Sequence, residues 1–167
     1  MYVDYEYYSG LYGDEVAPES TFNRIMWDAC RKLDIATTGH DGVQKLRQTF
    51  PTDEYAVECI KRCVCALIQN AYSLEQAEAN ARMAQGYTQR EDGSLQGRVI
   101  SSVSAGNESI SYSTSSNSTA TTLTDKALAS QTIREQVERD IITTYLSGVT
   151  DANGVPLLYM GPYPDVR

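Results

Sequence analysis

The sequence has few of the residues on which many biochemical functions depend. It contains one histidine, one tryptophan and two phenylalanines in 167 residues, and 14 Lys and Arg are outnumbered by 22 Asp and Glu, which gives a net charge of −8. An acidic chain without a basic stripe has no general attraction for phosphate backbones or anionic lipid. This balance disfavours sequence-specific DNA recognition.

The sequence also has no long apolar run, and the pattern of its first residues does not predict a secretory signal. The longest uncharged, apolar-leaning run, residues 63–74, is shorter than the about 20 residues that a membrane-spanning helix needs. The first 23 residues contain five carboxylates and no Lys or Arg, which is not the pattern of a secretory signal. We therefore expect no contact with a membrane.

Metal-binding and catalytic motifs are not recognisable either. The four cysteines form no C-x-x-C pair: Cys59 and Cys63 share a helical face, and Cys65 points the other way. We predict reduced, buried thiols and no metal or cofactor. His40, the only histidine, lies beside Asp41 in a glycine-flanked turn, and no phosphate-binding glycine loop is present. No residue is predicted to be catalytic, so the chain is predicted not to be an enzyme.

What the sequence does contain is helical periodicity. Phe22 opens an apolar stripe at three- and four-residue steps that predicts a helix from Ser20 or Thr21 to about Ala36. Residues 5–11 form a short helix capped by Asp4, and a last helix ends near Gly148. The longest pattern starts at Thr52 or Asp53 and predicts a helix packed on two sides. It either breaks near Ser73 or continues unbroken to Ala84.

A Ser/Thr-rich segment interrupts the helical pattern. From Ser101 to Thr124, 14 of 24 residues are Ser or Thr, and Glu108 is the one charged residue. Residues 99–105 and 108–113 are predicted strands flanking a Gly-Asn turn, whereas 86–97 is predicted to be a loop. An isolated two-stranded ribbon is only marginally stable in water. This hairpin is therefore expected to pack against the rest of its own chain or against another subunit.

The fold class is therefore mainly α, a small helical bundle with a projecting Ser-rich β-hairpin and an extended C-terminal tail. We expect one domain, 1–167, with its helical body at about 4–85 and 124–148, the hairpin and Ser/Thr loop at about 97–123, and the tail at 149–167.

Tyrosine is unusually frequent: the sequence has 12 tyrosines, five of them in the first twelve residues. A tyrosine ring with a polar tip suits an interface, and plain packing on the body explains the cluster equally well. The tail, with three prolines after Gly154, is predicted to dock on a partner, so that its deletion weakens docking more than it lowers the melting temperature. The interface candidates are Tyr2, Tyr5, Tyr8, Val103, Ile110, Tyr112, Leu157, Leu158, Tyr159 and Met160.

Five segments in order carry a resemblance to a known family. They are Tyr-Val-Asp-Tyr-Glu-Tyr-Tyr at 2–8, Leu-Asp-Ile-Ala-Thr at 33–37, Lys-Arg-Cys-Val-Cys-Ala-Leu at 61–67, the Ser-rich segment at 100–112 and Leu-Leu-Tyr-Met-Gly at 157–161. In this order and spacing the chain resembles the head–tail connector (adaptor) proteins of long-tailed bacteriophages. It departs from them in the extra Ser/Thr stretch at 113–123 and in Met160, where the family often has Arg.

The resemblance implies a structural protein of the virion neck, made in the host bacterial cytoplasm. Its partners would be about twelve copies of itself, joined by a head-to-tail contact that closes into a ring. Further partners would be the portal above and a stopper or tail-completion protein below, with genome DNA passing through the lumen without specific binding. Two other interpretations stay open: a helical regulatory or chaperone-like binding module, and a thiol- or metal-dependent enzyme using Cys59, Cys63 and His40.

Overall fold

The structure is a computed structural model, and it describes residues 1–13, 16–89, 95–104, 109–113, 127 and 130–164. Within these ranges the helices are α1 (Tyr5–Tyr12), α2 (Glu19–Ala36), α3 (Lys45–Gln48), α4 (Glu54–Ala84) and α5 (Gln131–Leu146), and the strands are β1 (Gln85–Gln89), β2 (Leu95–Ser104) and β3 (Ser109–Ser113). The chain is mainly helical, as predicted. It forms two compact units, residues 1–73 with 132–167, and residues 74–131.

Helix α1 has its predicted cap, and α2 has its predicted apolar stripe, but α2 begins at Glu19 after Pro18, without a side-chain cap and not at Ser20 or Thr21. Asp4 caps α1 by accepting a hydrogen bond from the Tyr7 N–H at 2.8 Å, and Gly13 ends the helix with φ of 61°, a conformation that favours glycine. Helix α2 buries one face. The residues of that face are Phe22, Ile25, Met26, Ala29, Cys30 and Leu33.

Residues 54–73 of helix α4 supply much of the core of the first unit. Asp53 begins the helix by accepting from the Ala56 N–H at 2.9 Å, and the helix continues without a break past Ser73 to Ala84. In the middle of the helix, side chains on nearly every face are buried, which agrees with the predicted packing on two sides. The buried residues are Ala56, Ile60, Cys63, Val64, Cys65, Leu67 and Ile68.

The second unit contains a sheet of three antiparallel strands in the order β1-β2-β3. β1 pairs with β2 from Gln85 opposite Val99 to Gln89 opposite Leu95, and the β2–β3 register shifts between Ile100 and Ser102. Within the predicted loop 86–97, residues 86–89 instead belong to β1 and residues 95–97 to β2, and residues 90–94 lie outside the described residues. The predicted Gly106-Asn107 turn, the stretch 114–123 and the start of the last helix lie outside the residues that the structure describes.

The C-terminal segment turns back on the first unit. The Asp151 N–H donates to the Val155 carbonyl and the Leu157 N–H to the Val149 carbonyl, both at 2.9 Å, around a turn with Gly154 at φ of 78°. In the described part of the chain, no helix combines the length and apolar character needed to cross a membrane.

Candidate interaction surface

The N-terminal tyrosines attach α1 to the body of the first unit. The Tyr8 ring is fully buried, and its hydroxyl donates to the Gln69 side chain at 2.6 Å while accepting from the Ala17 N–H at 3.1 Å. The Tyr7 hydroxyl donates to the Glu58 carboxylate at 2.7 Å, and burial together with this bond raises the pKa of Tyr7 to about 12.

The other tyrosine contacts show how the cluster packs within the folded chain. Tyr5 is half-buried, packs edge-on against Phe22 with ring centroids 5.4 Å apart, and donates to the Ala17 carbonyl. Tyr8 is therefore not a contact residue for a partner, because its side chain has no exposed surface. Tyr2 keeps one exposed side, and that side borders the groove described below.

The tail is held by a buried lysine. The Lys45 side chain is fully buried, and its ammonium donates to the carbonyls of Thr37 at 3.2 Å and Leu157 at 3.0 Å, and to that of Tyr159. Three acceptors use all three donors of an ammonium group. Burial lowers the pKa of Lys45, and the carboxylates of Asp151 and Asp41 oppose that shift.

Two carboxylates complete this tail clasp, which we define as Lys45, Asp41 and Asp151 with the backbone that they bind. Burial alone would raise the pKa of Asp151, but hydrogen bonds from Tyr163, from Thr49 and from two backbone N–H groups hold it below its usual range. Asp41 accepts from the Tyr163 N–H at 2.6 Å.

The clasp corrects the expectations for the tail residues. Leu157 is fully buried and belongs to the hydrophobic core, so it is not an interface residue, and Leu158 is partly buried against that core. Tyr159 and Met160 remain exposed, by 42% and 37%. The segment is thus part of the folded body. Its removal must lower the free energy of unfolding as well as remove the exposed surface of Tyr159 and Met160.

The predicted hairpin residues lie on paired strands of the second unit. Val103 on β2 is the register partner of Ile110 on β3, and Tyr112 is the partner of Ile100. Their predicted role as interface residues stays a prediction.

One face of α2 carries exposed apolar side chains on either side of an arginine. Trp27, Arg31 and Ile35 follow one another at four-residue steps, so they share a helical face. Trp27 is 56% exposed and Ile35 61% exposed, and the Arg31 guanidinium lies 5.5 Å from the Trp27 ring centroid. Cation–π contacts of this kind orient both side chains.

This face of α2 forms one wall of a groove of about 710 Å³, which we call the Trp27 groove. Its other wall comes from the first two residues and from the segment around α3, in particular Tyr2, Leu46 and Arg47. Tyr2 is fixed there because its ring stacks on Phe50, with centroids 5.7 Å apart and planes 7° apart. The groove is therefore preformed within one chain.

The charge in the groove is positive. Arg31 and Arg47 border it, whereas its one carboxylate, Asp34, accepts a hydrogen bond from the Tyr2 hydroxyl and lies 3.5 Å from the Arg47 guanidinium. On a chain with a net charge of −8, this is a local exception. It suits an acidic partner surface with an apolar centre.

Burial disfavours the reactive thiolate form at Cys63 and Cys65. All four cysteines are free, and Cys30, Cys63 and Cys65 are buried. Burial raises the pKa of Cys63 and of Cys65 to about 12, and the thiolate is the form that attacks electrophiles or binds metal. Among the residues described, no three His, Cys, Asp or Glu side chains are grouped as metal ligands would be.

Sequence reasoning missed the Trp27 groove, although one signal was available. Trp27 and Ile35 are eight residues apart on a helix whose core stripe is already complete with Phe22, Met26 and Leu33. A second apolar row outside that stripe indicates either a second packed face or an exposed one, and the exposure follows only from the packing of the neighbouring segments.

Comparison of the chain with protein-family models, curated proteins and solved structures found no match.

Proposed function

We propose that the protein is a structural adaptor of the phage neck, whose copies form a ring between the portal and the stopper or tail. The observation that carries the proposal is the Trp27 groove, a preformed and positively charged apolar surface on an otherwise acidic protein. Such a surface favours a protein partner. The ordered resemblance of five segments to the head–tail connector family supplies the kind of assembly.

In this proposal the two units have different tasks. The first unit carries the contacts between subunits described here, and the Ser-rich strands β2 and β3 of the second unit also take part in the ring. The tail presents Tyr159 and Met160, both exposed, to the portal or the stopper. In this proposal the lumen is acidic and does not neutralise DNA phosphates, so the genome passes through it without being bound.

The experiment is to measure assembly and docking together. Purified protein is examined by mass photometry and negative-stain electron microscopy, alone and with portal-bearing capsids that lack tails. The proposal expects closed rings of about a dozen copies, since a head-to-tail contact closes when its rotation closes, and capsids with added density at the portal vertex. Persistent failure to bind such capsids would contradict it.

The Trp27 groove also favours a second function, a helical binding module that takes a soluble protein partner. That function expects a discrete monomer or dimer that binds no portal. Particle mass therefore separates the two functions before any partner is identified.

A further inference from the structure

The Trp27 groove needs an occupant, and the chain itself carries a surface that matches it. At the start of α4, Tyr55 is 74% exposed and directly follows two exposed acidic residues, Asp53 and Glu54. We call these three residues the Tyr55 corner. An aromatic side chain preceded by acids is the chemical complement of an apolar groove bordered by arginines.

Resting on the proposed function, we propose that the Trp27 groove of one copy binds the Tyr55 corner of a second copy. Tyr55 would pack against Trp27 and Ile35, and Glu54 would approach Arg31. Exposed tryptophan and tyrosine are the residue types most enriched in the energetic centres of protein interfaces. The contact would place both aromatics where water is excluded.

Charge decides in favour of a second copy as the occupant. The chain has a net charge of −8, so two copies repel each other unless positive and negative patches meet. The groove presents Arg31 and Arg47, and the corner presents the carboxylates of Asp53, which precedes α4, and of Glu54, its first residue. Contact between the groove of one copy and the corner of another replaces this repulsion with attraction in one orientation.

The two surfaces also have the right relation for a ring. The groove and the corner are different patches, so each copy has one surface of each kind to offer. A contact between unlike patches passes from copy to copy and generates a closed ring when the rotation closes. The inference therefore names the subunit contact that the adaptor proposal requires.

Charge reversal tests the contact without removing any side chain from the core. Arg31→Glu and Glu54→Arg both alter exposed residues, and Glu54 is preferable to Asp53, which caps α4. In Arg31→Glu alone the groove repels the corner, and in Glu54→Arg alone the corner repels the groove. Each variant should assemble at least tenfold less readily than the wild type, as measured by sedimentation velocity.

Mixing the two variants is the decisive experiment. The altered groove of Arg31→Glu complements the altered corner of Glu54→Arg, and the unaltered corner of the first complements the unaltered groove of the second. An equimolar mixture should therefore assemble like the wild type, although neither variant does so alone. Circular dichroism of each variant establishes that both are folded.

Glu6→Arg is the matched control, because it makes the same charge change at an exposed position of α1 outside both surfaces. It should assemble like the wild type. If single variants assemble normally, or if the mixture stays monomeric while the wild type assembles, the inferred contact is wrong and the adaptor function is unaffected. If the mixture is rescued but only to dimers that bind no portal-bearing capsid, the contact is supported and the adaptor function is wrong.

Discussion

Lys45→Met removes the centre of the tail clasp while keeping most of the side chain's length and volume. In the wild type the ammonium donates to the carbonyls of Thr37, Leu157 and Tyr159, two of them fully buried and the third partly so. The methionine cannot donate. The tail then loses its only buried cationic attachment within the described part of the chain.

The magnitude follows from two opposing terms. Each of the two buried carbonyls left without a donor costs about 1–3 kcal/mol, whereas the third can turn to water. Removing the ammonium returns part of the cost of burying a charge. We expect the free energy of unfolding to fall by about 3 kcal/mol, which for a chain of this size lowers the Tm by roughly 6–12 °C.

Urea unfolding followed by circular dichroism measures the free energy, and chymotrypsin cleavage after Tyr159 under native conditions measures local release of the tail. Lys32→Met is the control, because Lys32 pairs with Glu138 at the surface and should change stability by less than about 1 kcal/mol. A Lys45→Met protein as stable and as protease-resistant as the wild type would refute the clasp as a stabilising device.

Three further outcomes follow from burial and titration. Leu157→Ala, at a fully buried core position, should lower the free energy of unfolding by about 2–5 kcal/mol in urea titrations, and deleting residues 155–167 should lower the Tm further, not merely weaken docking. Tyr8→Phe removes a hydroxyl that donates to the partly buried Gln69 side chain and accepts from the buried Ala17 N–H, so it should lower the free energy of unfolding by about 1–3 kcal/mol in the same assay. An unchanged value would contradict a stabilising role for these two hydrogen bonds. The raised pKa of Cys63 and Cys65 means that the folded state holds protons which the unfolded state releases, so stability is complete below the unfolded thiol pKa and is lost as pH rises towards about 12. Thermal melts between neutral pH and pH 11 check this, and a Tm that rises over that interval would contradict it.

The local elements could be predicted because their signals are local. Asp4 caps α1 as predicted, and Asp53, one of the two residues predicted to start the long helix, caps α4. The predicted stripe of α2 that begins at Phe22 is buried in the structure.

The tail and the groove could not be predicted because they depend on contacts between distant residues. Lys45 and Leu157 are 112 positions apart, and only their meeting makes Leu157 a core residue. The exposure of Trp27 likewise depends on how Tyr2 and the segment around α3 pack beside α2. A pattern of three prolines favours an extended segment, but it does not reveal which carbonyls a distant ammonium will bind.

The most direct test of the adaptor proposal is the mass and shape of the wild-type protein bound to portal-bearing, tailless capsids. The account predicts closed rings of about a dozen copies at the portal vertex, held by a repeating contact between unlike patches. A protein that remains a monomer or dimer at high concentration and leaves the portal vertex bare would contradict it.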